Sequence, residues 1–169
     1  GVFNRIIDTE EELKVVVNSP TVIDIDEYQV FDYIEKLPIK YLNYIWTPTD
    51  IPNNIELQSI EILETDFTVS IACKYFDQEK KQFVDAIKKT FRDKIGITDR
   101  MYDGFESYAN EQYGSIEVEY FIKVNEDYTE YVALFMHRNS IYTLAGNCDF
   151  ETIEDIVREN IANNNLWLL

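Results

Sequence analysis

The sequence predicts an α+β fold: a single domain with an antiparallel sheet of about five to seven strands and amphipathic helices packed on one side. Three observations carry this expectation. Apolar and polar residues alternate with period two through 67–75 and 116–124, as half-buried strands require. Helical spacing of apolar residues marks 77–95 and the stretch after Asp149. The connections between strands are short, which suits antiparallel neighbours and not the long crossovers of a parallel sheet. A chain of 169 residues accommodates one core of ordinary size. The division expected is 1–26 as an N-terminal helix or extended segment and 27–169 as the α+β domain.

The elements follow in order. Asp8 or Thr9 is placed to cap a short helix over 9–17, whose first turn holds three acids that favour a helix N-terminus. Ser19-Pro20 ends it, and residues 21–26 extend. Residues 27–36 predict a second helix with Val30, Phe31 and Ile34 on one side, closed by Pro38. Residues 40–46 predict a strand, and Pro48 and Pro52 make 47–54 a loop. Two strands, 55–63 and 66–76, join through Glu64-Thr65 as a hairpin. From Asp77 to Ile95 the period changes, and Phe83, Val84, Ile87, Phe91 and Ile95 fall on one helical stripe ahead of Gly96. Residues 97–114 show no clean period. Ile116, Val118, Tyr120, Ile122 and Val124 then alternate with Glu117, Glu119 and Lys123, and with 128–138 and 141–144 they predict a three-stranded meander. Asp149 caps a last helix with Phe150, Ile153, Ile156, Val157 and Ile161 on its buried stripe.

Charge excludes several functions. Thirty-two acids against 15 bases give a net charge of −17, which repels phosphate backbones and anionic bilayers over most of the exterior. Nucleic acid is therefore not an expected partner. The 46% apolar content and abundant aromatics exclude a disordered chain. The longest apolar run, 131–136, is far short of a membrane span. The stretch 77–95 stands apart, with six bases and four acids. Read as a helix, it presents Lys80, Lys81, Lys88, Lys89 and Arg92 as a partner surface on an acidic body.

The sequence offers little to a catalyst. The lone His137 stands at a strand end without a nucleophile elbow or local signature beside it. No glycine-rich phosphate loop occurs. Asp24 and Asp26 share a face of an extended stretch, and 125–129 resembles the opening of a calcium loop, but Glu130 replaces the glycine needed at position six and Met136 the glutamate at position twelve. These acids read as a solvated face, so no metal, cofactor or catalytic residue is expected. Tyr41, Tyr44, Tyr108, Tyr113, Tyr120, Tyr128, Tyr131 and Tyr142 read as half-buried structural surface, with a ligand-binding sheet face as the alternative. Cys73 and Cys148 are too few for a disulfide scaffold or a zinc site. They read as two reduced thiols, with a Cys73–Cys148 bridge left open.

A family resemblance adds to this. Residues 44–62, with Thr47-Pro-Thr-Asp-Ile-Pro52, the strand 69–75, and Ser140-Ile-Tyr-Thr-Leu-Ala-Gly146 before a capped helix are similar to an uncharacterised extracytoplasmic domain family of Gram-positive bacteria, membrane-anchored or lipoprotein. Ile51-Pro-Asn-Asn-Ile55 stands where that family has Leu-Pro-x-Gly-Tyr, without its Gly and Tyr, and the basic 77–95 stretch departs from the pattern. The resemblance covers about 27–163 and carries no catalytic residues. It implies a non-enzymatic binding domain facing the cell envelope, whose partner is a protein or envelope component. The start at Gly1 reads as a processed or cloned boundary, leaving room for an anchor upstream of Val2. The alternative function is a cytosolic acidic inhibitor, an immunity protein or nucleic-acid mimic, neutralising a basic partner.

Overall fold

Alternating β-branched and aromatic side chains need cross-strand neighbours, and this chain supplies them in two successive meanders. A computed structural model describes residues 25–32, 34–92 and 104–166. The first meander comprises β1 (Ile25–Phe31), β2 (Glu56–Thr65), β3 (Thr68–Asp77) and β4 (Gln82–Phe91); the second comprises β5 (Glu106–Tyr113), β6 (Ile116–Val124), β7 (Thr129–His137) and β8 (Ser140–Gly146). They join because β8 pairs with β4, giving one antiparallel sheet in the order β1-β2-β3-β4-β8-β7-β6-β5. One α-helix is described, α1 (Phe150–Ala162).

The α+β expectation is therefore corrected. The described chain is one eight-stranded antiparallel sheet with a single helix, more strands and fewer helices than the five to seven strands and several helices expected. The largest change is in the expected basic helix over 77–95: through Arg92 it is the last residue of β3, a turn and β4, and 93–95 lie outside the described residues. The reason is burial on both sides. Val84, Ala86 and Lys88 face one way, Ile87 and Lys89 the other, and all five are buried. A central strand with both faces covered loses its alternation, and the apolar residues left over match a helical stripe by coincidence. The expected helix over 27–36 is also corrected. Its first half lies in β1, held by pairing to β2 from Tyr28↔Leu63 to Phe31↔Ile60, where Tyr, Val and Phe suit a strand.

The expected strand 40–46 is instead a 3-10 helix, Ile39–Tyr44, started by Tyr41 N–H donating to Pro38 O at 3.0 Å. It buries Tyr41 and leads Ile45 and Trp46 into the core. The ambiguous 97–114 contains β5. The expected helix over 9–17 lies outside the described residues. The 55–76 hairpin, the meander after 116 and the final helix occur as the sequence predicts. The hairpin turns at Asp66-Phe67, two residues later than the expected Glu64-Thr65, because Thr65 Oγ1 accepts from Phe67 N–H at 3.1 Å and Thr68 N–H at 3.0 Å.

Ile87, Phe121, Val132, Leu134, Ile141 and Ala145 are buried on one sheet face, while the largest core cluster lies on the opposite face, beneath α1 and the 38–46 segment. Ile60, Ile62, Ile71, Cys73, Ala86 and Leu144 meet Ile153, Ile156 and Val157 of α1 there. Trp46 packs edge-on against Tyr142 at 5.3 Å and Phe135 at 6.0 Å, and those two rings stack at 5.1 Å. Cys73 and Cys148 are free, buried thiols, and burial pushes Cys73 up to about 12, so it serves as a small hydrophobe. No helix of the described residues is long and apolar enough to cross a membrane.

The helix is seated on the β4–β8 seam at Gly146. A Cβ there would stand 2.6 Å from Phe83 O and 3.2 Å from Ile153 Cδ1. The carbonyl is backbone and cannot swing aside, so Gly146→Ala is expected to lower stability by about 1–3 kcal/mol, the usual range for overpacking. A urea titration checks this. A midpoint equal to that of the parent protein contradicts the seating.

Candidate functional site

The five basic residues singled out in the sequence do not converge. Lys80 and Lys81 are exposed at the β3–β4 turn, and Lys81 adopts a positive φ of 54°. Arg92 stands at the far end of β4, on the order of 30 Å away by strand rise. There it ion-pairs with Glu64 and donates to Thr65 O at 2.9 Å. Burial raises Glu64, but hydrogen bonds from Tyr41 and Arg92 outweigh it and hold the carboxylate below its ordinary range. Lys88 and Lys89 point to opposite faces of the sheet. Lys88 Nζ, buried over the Tyr142 ring at 5.6 Å, donates to Asn43 O at 3.4 Å and Leu166 O at 3.5 Å. Burial lowers its pKa. Lys89 is fully buried with Nζ 5.3 Å from the Phe91 ring centre. Two of the five therefore hold the structure from inside the sheet.

Among the described residues, no group of three or more His, Cys, Asp or Glu is arranged to hold a metal. His137, at the end of β7, is held below its ordinary range by burial and by the Arg138 and Lys88 cations.

The structure instead assembles ionisable groups where β5 meets α1. Two local features put them there. Asp149 caps α1, its carboxylate accepting from Thr152 N–H at 3.0 Å, which fixes where the helix starts and hence which residues face the sheet. Phe150, the first helical residue, inserts among Tyr108, Tyr120 and Tyr131 with ring centres 4.8, 5.0 and 5.6 Å away. Nearly three turns further, Asn160 anchors the helix to the proline loop. Its Oδ1 accepts from Thr49 N–H at 3.0 Å, and its Nδ2 donates to Thr49 O at 3.0 Å, satisfying both backbone groups of one loop residue.

With the helix so placed, Glu154 meets Glu111 of β5. Two carboxylates in hydrogen-bond reach cannot both ionise freely. The hydrogen bond to Glu154, then desolvation, then the Glu154 charge push Glu111 up to about 7, against an opposing pull from Arg158. Tyr113 O–H donates to Glu111, and the Tyr113 and Tyr120 hydroxyls lie 3.2 Å apart. Tyr120 is raised by burial and then by the Glu111 and Glu154 charges. A hydrogen-bonded chain thus runs from the core at Tyr120 to the shared proton of Glu111 and Glu154. Next to Tyr113 lies a pocket of about 460 Å³ bounded by the β5–β6 turn, His137 and the C-terminal end of α1.

Of these groups, the sequence supplied only the tyrosines and His137 as candidates. Glu111 lay in the stretch without a period. Glu154 and Arg158 stand four apart on the final helix, the spacing of any i,i+4 pair, and nothing in a single sequence joins them to Glu111.

A raised carboxylate links the pair to stability. Its contribution is complete below the unfolded value of 4.5 and is lost as pH rises through about 7. Glu111→Gln is expected to melt like the parent protein near pH 4.5 and above it by pH 8, with the gap opening between. Melting curves across this range check it; a pH-independent difference contradicts the shared proton. The chain matches no protein-family model, no curated protein and no solved structure.

Proposed function

We propose that the protein is a non-enzymatic interaction domain that receives a basic protein partner on the side built by β5, β6 and α1. The observation that carries this reading is the unequal division of charge between the two meanders. Residues 104–166 hold twelve acids and three bases, whereas 25–92 hold twelve acids and eight bases. The excess negative charge thus belongs to the second meander and its helix. There Glu117 and Glu119 lie on one side of the β5–β6 edge, and Glu111, Glu154 and Asp155 on the other. A field of this shape speeds encounter with a cationic surface and orients it.

The Glu111–Glu154 pair gives the encounter a chemical consequence. In the free protein the two carboxylates share a proton. A lysine or arginine brought between them stabilises both ionised forms, so the proton leaves as the partner arrives. Binding strengthens as pH rises through about 7. The β5 edge adds backbone groups: it ends the sheet order, and no described strand pairs with its outer side.

The setting we propose is the bacterial cell envelope, outside the membrane, and the family resemblance supports it. A cytosolic inhibitor of a basic enzyme is the second reading. The same charge division favours it, and it requires the bound enzyme to lose activity.

An NMR titration with a short Lys- and Arg-rich peptide tests the shared chemistry. Shifts are expected along 106–119 and 150–159, with affinity falling steeply with salt. Glu111→Lys combined with Glu154→Lys is expected to weaken binding by about tenfold or more. Shifts spread evenly over both meanders, or binding unchanged by the double substitution, overturn the proposal.

A further inference from the structure

Beyond the acidic surface, the pocket beside it has a different character. It is a half-open pocket of about 460 Å³, within the size range of small-molecule sites. No Asp or Glu lines it, although the chain carries 32 acids. Ile116 from the β5–β6 hairpin and Ile161 and Leu166 from the end of α1 and the turn after it give apolar walls. Arg158 supplies a cation, with Tyr113 and His137 contributing polar edges.

We propose that this pocket binds a small organic carboxylate with an apolar body. The chemistry follows from the lining. A guanidinium carries five N–H donors in a planar fork suited to a carboxylate. Asp155 meets one of the two terminal nitrogens of Arg158, which steadies the side chain along the helix, and Arg158 lines the pocket with donors on its fork beyond the one given to Asp155. The hydrocarbon part then rests against Ile116, Ile161 and Leu166, removing apolar surface from water. The surrounding acids repel a polyanion, so the ligand carries a single charge and stays within the pocket. The inference rests on the cavity and its lining, independently of the basic-partner reading.

Phenylacetate is the probe, and its neutral amide, phenylacetamide, is the control. Titrated into the folded protein at pH 7, phenylacetate at up to about 10 mM, a range suited to a weak small-molecule complex, is expected to give saturable NMR shifts confined to 113–116, 137 and 158–166. Phenylacetamide is expected to bind about tenfold more weakly or worse. Arg158→Gln is expected to weaken phenylacetate by the same factor. Ala162→Leu tests occupancy separately: Ala162 lines the pocket yet is exposed, so the larger side chain fills space without disturbing the core, and it is expected to abolish the shifts. Equal binding of acid and amide, indifference to either substitution, shifts elsewhere, or no shifts at all overturn the proposal. Because the probe is an anion, its failure leaves the basic-peptide titration unaffected, and the reverse holds as well.

Discussion

Everything in this fold hangs on the pairing of β4 with β8. Each meander is built by neighbours in sequence, but only the register from Val84↔Gly146 to Thr90↔Ser140 makes them one sheet. Side chains reinforce both ends. Thr90 and Ser140 hydroxyls meet at 2.9 Å, and Asn139 Nδ2 donates to Phe91 O at 3.0 Å. At the other end Asn147 accepts from Phe83 N–H at 2.7 Å and donates to Lys81 O at 2.9 Å. This is a long-range contact of the kind that costs loop-closure entropy before it returns any stability, so its side-chain bonds and its glycine matter more than those of the hairpins.

The same seam divides the molecule electrostatically. The first meander, with its eight bases among 25–92, lies on one side and the acid-rich second meander on the other. Across the seam helix α1 meets the apolar core and, through Asn160, the proline loop; Glu154 faces β5, where it finds Glu111. Tight seating and charge crowding therefore have one cause. Phe150 among three tyrosines and Asn160 on Thr49 fix the helix rigidly, and a rigid helix cannot retreat to separate two carboxylates. The pair relieves its repulsion by holding a proton instead.

How much of this was legible in the sequence depended on exposure. β3 and β6 alternate in sequence, β7 and β8 were readable from apolar and β-branched runs between turn signals, and the Asp149 cap was readable three residues ahead of the Thr152 N–H that donates to it. β4 was not legible, because Lys88 and Lys89 are buried on opposite faces, and two adjacent lysines read as solvent-facing. β5 was not legible for the opposite reason: Glu106, Ser107 and Tyr108 are all exposed, so an edge strand there has no apolar period to show. The candidate site joins that unreadable strand to a readable helix, and the contact exists only once β5 to β8 have paired and Phe150 has seated among the tyrosines of β5, β6 and β7. The tyrosines were noticed in number, but their grouping around Phe150 required the fold.

The most direct test of the account is proton linkage on binding. Calorimetry of the parent protein with the Lys- and Arg-rich peptide at pH 7, in buffers of differing ionisation enthalpy, counts protons released. The account predicts about half a proton released per complex, since a group titrating near 7 is half protonated there, and no such release from Glu111→Gln. Binding without proton release, or release unchanged by that substitution, contradicts it.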